Sequence, residues 1–268
     1  MIKVAIAGAA GRMGRILVSL VLNDKDLQLS AALEQEGSAF IGQDAGLLAG
    51  EDACGVLISS DIEAVLQNSD CIIDFTAPAA TLKLAELSAA KGVHSVIGTT
   101  GLTADEKLIL QKLAANGAHI VFAPNMSIGV NLLFSIAAKT AAALGDDYDI
   151  EIIEMHHNQK KDAPSGTAER LGEVLAQARG LDYQKDCKHG RLGMPGARSK
   201  NEIGMHAIRG GDVVGDHTVI FATDGERIEL THKASSRETF AKGALRAVKF
   251  LQKNKAGLYD MQDVLIRE

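Results

Sequence analysis

A short β-rich run, Lys3–Ala7, passes directly into Gly8-Ala9-Ala10-Gly11-Arg12-Met13-Gly14, and then into apolar residues at helical spacing: Met13, Ile16, Leu17, Leu20 and Val21. Few folds use a strand that turns into a helix through three glycines. The glycines permit a tight turn and close backbone approach, and the open helix N-terminus favours a pyrophosphate. The pattern is G-x-x-G-x-x-G rather than the commoner G-x-G-x-x-G, so the spacing alone is weak. The context strengthens it. A second strand, Leu27–Leu33, ends at Glu34, 20 residues after Gly14, where an acid binds the adenosine ribose hydroxyls of a dinucleotide.

The same alternation continues through the first half. Cys71–Phe75 reads as a strand, followed by a helix with Thr76 as N-cap and Pro78 in its first turn, stopping at Gly92. Ser95–Ile97 is the next strand, Ala104–Asn116 a helix closed by Gly117, and Ile120–Ala123 a strand again. Strands alternating with helices pair in parallel through right-handed crossovers, which predicts a Rossmann-type doubly wound α/β sheet. Ligands sit at the carboxyl ends of such strands. That makes Gly98, Thr99 and Thr100, and Ala123, Pro124, Asn125 and Met126, candidates for the nicotinamide side of a dinucleotide. Ordinary strand-end turns explain both stretches equally well.

The character changes near Asn125. A helix of small residues over about Gly129–Leu144 leads to a strand, Tyr148–His156, and a helix follows from Thr167 to about Arg179. Gly180–Asn201 reads as a long loop, which inside a domain is a lid, an interface arm or disordered. Ile203–Arg209, Val213–Thr223 and Glu226–Lys233 are β-rich, with Asp224-Gly225 as a hairpin turn and Arg209–Asp212 as another. The expectation is an inserted α+β domain, residues 127–237, carrying a mainly antiparallel sheet. Residues 1–126 form the dinucleotide-binding domain, completed by 238–268, where Thr239–Gln252 is an amphipathic helix.

Between the strand and helix of the second part lies the chemistry: Glu154-Met-His-His-Asn-Gln-Lys-Lys-Asp-Ala-Pro-Ser-Gly-Thr-Ala168. Two histidines and a lysine supply proton donors and positive charge, and Ser165, Gly166 and Thr167 open a helix whose N–H groups and hydroxyls favour a carboxylate. Hydride addition to a conjugated imine leaves electron density to be protonated, which histidine does well near neutral pH. Adjacent strand residues point to opposite faces, so His156 and His157 serve one substrate only if the strand ends there. Asp162 holds Lys160 or Lys161, or is simply solvated, the latter weighing slightly more. The pair His156-His157 lacks the i,i+4 spacing of a helical metal site, so no metal is expected.

Composition narrows the partners. With 28 Lys and Arg against 34 Asp and Glu, the net charge is −6, which invites neither nucleic acid nor an anionic membrane. No window is expected to approach a membrane span of about 20 apolar residues. Cys54, Cys71 and Cys187 lie apart, without a CxxC pair, and no signal peptide is read at the start, so a reducing cytoplasm is expected.

These motifs together carry a likeness. Gly8–Gly14, Asp74-Phe75-Thr76, Gly98–Gly101, Asn125 with Ser127–Asn131, the His-His-x-x-Lys-x-Asp-Ala-Pro-Ser-Gly-Thr-Ala block and His232–Arg237 follow one another along nearly the whole length. The chain closely resembles the 4-hydroxy-tetrahydrodipicolinate reductase (dihydrodipicolinate reductase) family of lysine and diaminopimelate biosynthesis. The resemblance implies NAD(P)H-dependent reduction of a cyclic dicarboxylate with loss of water, by a homotetramer joined through the antiparallel sheet. His156 would be a proton donor or acceptor and Lys160 a proton donor. His157 would contact substrate, and Gly166 with Thr167 would hold a carboxylate. Gly8, Ala9, Ala10, Gly11, Arg12, Met13, Glu34, Gly98, Thr99, Thr100 and Ala123–Met126 would bind the cofactor. Many members carry a basic residue where Gln35 stands. Its absence, with Glu34 repelling a 2′-phosphate, points to NADH, with some NADPH tolerance. The rivals are another NAD-dependent dehydrogenase of amino-acid metabolism and a non-catalytic nucleotide sensor.

Overall fold

The computed structural model describes residues 1–266, which divide into two compact units: Met1–Ile128 with Arg237 onward, and Gly129–Ser236. The first unit contains β1 (Ile2–Ala7), α1 (Arg12–Leu22), β2 (Leu27–Leu33), α2 (Ala45–Ala49), β3 (Ile58–Ser59), α3 (Ile62–Gln67), β4 (Cys71–Asp74), α4 (Pro78–Lys91), β5 (His94–Ile97), α5 (Ala104–Ala115) and β6 (His119–Phe122). The chain then runs through α6 (Ile128–Leu144), β7 (Asp149–His156), α7 (Gly166–Arg179), α8 (Tyr183–Asp186), β8 (Cys187–His189), β9 (Ile203–Arg209), β10 (Gly215–Thr223) and β11 (Glu226–Ala234). It returns to the first unit with α9 (Glu238–Leu251), β12 (Gly257–Tyr259) and α10 (Met261–Ile266).

The first unit's sheet has the order β12-β6-β5-β4-β1-β2-β3, and every ladder is parallel. Reversal of strand order between β1 and β4 makes the doubly wound topology, with a crevice at their carboxyl ends. β4 is buried along its whole length, as a strand covered by helices on both faces must be. The last segment of the chain completes this core. Ala241, Ala244, Ala247, Val248 and Leu251 of α9 pack with Val4, Ile6, Leu17 and Val121, and β12 extends the sheet beside β6.

Four local expectations need correcting. The N-cap of α4 is Ala77, not Thr76, because the Thr76 hydroxyl is drawn back to Asp74 Oδ1 at 2.6 Å. The supposed loop 180–201 carries α8 and β8, too short to leave a periodicity. The second unit's sheet, ordered β11-β10-β7-β9-β8, is mixed. β7 lies antiparallel to β10 but parallel to β9, and β8 pairs parallel with β9. The turn at Arg209–Asp212 therefore joins two strands that β7 separates. The strand with the strictest alternation of buried and half-buried residues takes the central place.

The fourth correction concerns hydropathy. Ile128–Asp147 is long and apolar enough, by length and composition, to cross a membrane. One face of α6, through Val130, Leu133, Phe134, Ala137 and Ala141, packs in the second core with Ile150, Ile152, Leu171, Val219 and Phe221.

Candidate active site

Each unit carries one candidate site. In the first, β1 ends at Ala7 and Gly8 turns the chain with φ +66°, which suits glycine. Gly14 sits so close to the turn that an added Cβ would lie 2.0 Å from the Gly8 carbonyl oxygen. Helices α2, α3, α5 and α7 have their first turns capped by Asp44, Asp61, Thr103 and Ser165 side chains. Like α4 and α9, α1 has no side-chain cap, and its N-cap is Gly11. A pyrophosphate fits there, because a helix start stripped of both side-chain cap and Cβ bulk leaves N–H groups to a phosphate. Arg12 is exposed and Met13 half-buried at this helix start.

Glu34 lies beside the turn. Its Oε1 accepts the Ala10 N–H at 2.9 Å and its Oε2 the Gln35 N–H at 3.3 Å. Arg15, which the sequence reading passed over, donates from Nε to the Ala10 carbonyl at 2.9 Å, with its guanidinium over the Phe40 ring. No motif marks this residue; its place one helical turn past Gly11 is the only signal.

The strand-end candidates fare unequally. Gly98 is buried against the Phe75 ring. Thr99 is buried, with its hydroxyl accepting from Thr81 Oγ1 at 2.8 Å. Thr100 and Pro124 are exposed, Ala123 is buried, and Asn125 Oδ1 accepts the Ser127 N–H. Met126 does not stand with them. It is fully buried, and its carbonyl lies against Gly243 of α9, where a Cβ would come within 1.7 Å. Its assignment to the cofactor is corrected: it is a core residue under α9.

In the second unit, β7 ends at His156, and His157 begins a loop whose backbone is pinned by His157 N–H to the Val213 carbonyl and Asn158 N–H to the Gly211 carbonyl. The doubt about strand alternation is thus answered in backbone terms: the strand stops between the two histidines. His156 projects on the helix-facing side of the sheet with Glu154, Ile152 and Ile150. Its Nδ1 lies 2.6 Å from Glu154 Oε2, and its ring meets that of His217 edge-on at 5.2 Å between centroids. Burial pulls the His156 pKa below its ordinary value, against the opposing pull of Glu154.

Lys160 pairs with Asp162 at 2.9 Å, which corrects the solvated reading of that carboxylate. The Lys160 ammonium, first, holds the Asp162 pKa below its ordinary value. Gly166 is exposed at the first position of α7, and Thr167 is half-buried behind it. Ser165 differs from its expected role. It is buried; its Oγ accepts the Ala168 N–H at 3.2 Å and lies 3.2 Å from His217 Nε2. An N-cap so engaged is a scaffold for α7 rather than a substrate ligand. Sequence reasoning missed Glu154, Arg209 and His217 as parts of this cluster. Alternation along β7 could have placed Glu154 on the His156 face; Arg209 and His217 come from strands whose pairing the sequence did not reveal.

Family models described as the N-terminus and the C-terminus of dihydrodipicolinate reductase match residues 2–126 and 129–265. The chain belongs to the dihydrodipicolinate reductase family. Proteins named 4-hydroxy-tetrahydrodipicolinate reductase from Nitrosomonas eutropha and from Hahella chejuensis are each 54% identical to it over 265 residues. The matches cover 99% of this chain and 98% and 99% of theirs. A solved dihydrodipicolinate reductase from Paenisporosarcina sp. TG-14, bound to dipicolinate, superposes with a TM-score of 0.77 at 28% identity, covering 97% of each chain. An amine dehydrogenase from Mycobacterium smegmatis, 14% identical with a TM-score of 0.61, shares the fold alone.

Proposed function

We propose that this chain reduces 4-hydroxy-tetrahydrodipicolinate to tetrahydrodipicolinate with NAD(P)H and loss of water, a step of lysine and diaminopimelate biosynthesis. The observation that carries the reading is whole-length likeness to reductases of that name, with the His-His-x-x-Lys block intact. The nicotinamide cofactor, when bound, supplies the hydride. Everything else falls to side chains. Gly8–Met13 and the uncapped start of α1 hold the pyrophosphate, Glu34 the adenosine ribose, and Gly98–Thr100 with Ala123–Asn125 the nicotinamide end through backbone groups. His156 gives the proton that accompanies reduction, and Lys160 protonates the nitrogen or steadies its charge. His157, Gly166 and Thr167 hold the dicarboxylate, the last two at the N-terminus of α7 where a carboxylate is favoured.

NADH is the preferred reductant on this reading, with NADPH tolerated. Glu34 faces the ribose with a negative charge and Gln35 offers no cation, while Arg12 and Arg15 lie close enough in the chain to soften the rejection of a 2′-phosphate. Assembly is as a homotetramer through the outer face of the second sheet, where Ile153, Met155 and Ile220 are only half-buried and Ile208 is exposed. The three free cysteines suit a reducing cytoplasm.

The test is to follow NADH and NADPH oxidation with the condensation product of pyruvate and aspartate semialdehyde. Turnover is expected with both; none with either sinks the proposal. His156→Ala and Lys160→Ala are each expected to lower kcat by ~100-fold or more, the usual worth of a proton donor, with NADH binding retained by fluorescence titration. Loss of NADH binding instead would overturn the division of labour between the two sites.

A further inference from the structure

Glu154 is fully buried, yet its carboxylate is saturated. Oε2 takes His156 Nδ1 at 2.6 Å and Arg209 Nη1 at 2.7 Å. Oε1 takes Arg209 Nη2 at 2.8 Å and the Ser165 N–H at 3.0 Å. Arg209 Nη2 also donates to the Asp162 carbonyl at 2.7 Å, and the Asp162 carboxylate holds Lys160 Nζ at 2.9 Å. The contacts run His156–Glu154–Arg209–Asp162–Lys160, linking both candidate proton-carrying groups through residues to which the proposed function gives no substrate contact.

The geometry points to Glu154 and Arg209 as a positioning pair: Glu154 fixes a proton on Nδ1 of His156, leaving Nε2 as the edge that delivers the reaction's proton, and Arg209 keeps Glu154 ionised and ties the Lys160 loop to it. This deepens the role proposed for His156 and rests on it.

An ionised carboxylate only accepts, so the ring edge facing it must carry N–H. Neutral His156 is then the Nδ1–H tautomer, and its second, transferable proton resides on Nε2 when the ring is charged. The backbone of β10 leaves room for that edge, since a Cβ on Gly215 would lie 3.0 Å from Nε2. Burial alone raises a carboxyl pKa; here Arg209 foremost, then His156 and the Ser165 N–H, more than offset it, and Glu154 lies below its ordinary value. An arginine suits the task because its planar fork satisfies both carboxylate oxygens and still reaches a third acceptor, which a lysine ammonium does with poorer geometry. The groups facing His156 are Glu154 on its own strand, Arg209 from β9, Lys160 from the loop and His217 from β10. Of these only Glu154 raises the pKa of the imidazole; Lys160 and Arg209 lower it. Burial holds His217 neutral, with a pKa of about 3.

Three measurements test the pair. In the wild-type protein, imidazole ¹⁵N NMR, with the His156 signals assigned against His156→Ala, is expected to show the proton of the neutral ring on Nδ1. A proton on Nε2 overturns the inference. In Glu154→Gln, kcat is expected to fall ~10-fold or more, as for loss of a partner that orients a functional histidine, while NADH affinity stays unchanged. The alkaline limb of its kcat–pH profile is expected at lower pH, because the group that raised the His156 pKa is gone. Arg209→Lys is expected to lower kcat less. A folded Glu154→Gln protein, by circular dichroism, with wild-type kcat and profile overturns the inference. Should Glu154→Gln fail to fold, Glu154→Asp keeps the charge, withdraws it by a methylene, and meets the same two outcomes. If His156→Ala itself keeps wild-type kcat, the role of His156 falls, while the ring spectrum still decides whether Glu154 fixes the tautomer.

Discussion

Glu34 and Gly14 show how much a single residue decides at the nucleotide turn. Glu34 does two things with one carboxylate: it accepts the Ala10 N–H at 2.9 Å and sets a negative charge beside the proposed ribose site. Glu34→Gln keeps an acceptor for Ala10 and removes the charge. It is expected to raise kcat/KM for NADPH relative to NADH by about tenfold, close to the ~1 kcal/mol of a charge pair in a high-dielectric site. Steady-state kinetics with both reductants checks this, and an unchanged ratio would mean the charge does not face the 2′-position. Gly14 is constrained from the other direction. A methyl there would lie 2.0 Å from the Gly8 oxygen and 2.7 Å from the Ala9 Cα, both backbone and so unable to swing away. Gly14→Ala is expected to shift the turn, weaken NADH binding at least tenfold by titration, and cost about 1–3 kcal/mol in denaturant unfolding.

Elements were legible where the local signal was strong and unsupported by distant partners. α1 spans Arg12–Leu22 and β2 Leu27–Leu33, as their periodicities imply, and Asp224-Gly225 makes a two-residue hairpin between β10 and β11. Residues 44–67 gave no such signal, because α2, β3 and α3 are only five, two and six residues long and are fixed by contacts, such as Asp44 accepting from Gly46, Leu47, Cys54 and Gly55. The candidate site divided the same way. His156, Lys160 and the start of α7 lie in one continuous block. Arg209 reaches that block only because β9 pairs parallel with β7 in a register that sets Arg209 opposite His156, a fact of sheet order that no stretch of sequence carries. The register also makes β10 a test of the element as a whole. Gly215→Ala would place a methyl 3.0 Å from His156 Nε2 without touching the nucleotide turn. The expected result is a several-fold lower kcat with NADH affinity intact; unchanged kcat would show that the Nε2 edge is not the reacting one.

At the scale of the whole molecule, both units hold groups that acid must protonate against the fold, Asp44 in the first with a pKa of about 2 and His217 and Glu151 in the second. In the second, a buried histidine and a half-buried glutamate have protonation that opposes the fold. Burial, chiefly, and then the neighbouring His156 lower the His217 pKa to about 3. Burial resists ionisation of Glu151, but hydrogen bonds from Arg191, Arg198 and His206 bring its pKa down to about 2. Both native values lie below those of an unfolded chain, about 6.5 for histidine and 4.3 for glutamate. Between native and unfolded pKa the unfolded chain binds more protons, so stability rises with pH there and is lost as pH falls. For His217 the stabilisation is complete above about 6.5 and fades on the way down to about 3; for Glu151 the loss begins near 4.3 and continues toward about 2. Two steps of acid destabilisation are therefore expected in the second unit, the first already under way at pH 5. His217→Gln, which keeps a polar partner for Ser165 but has no proton to gain, is expected to shrink the first step, to which His156 and His232, also lowered by burial, contribute the rest, and to leave the second. The urea midpoint followed from pH 7.5 to 4 in both proteins checks this. Parallel curves for wild type and variant would show that His217 is not the group being titrated, whereas a flat wild-type curve above pH 5 would place its native pKa close to the unfolded value.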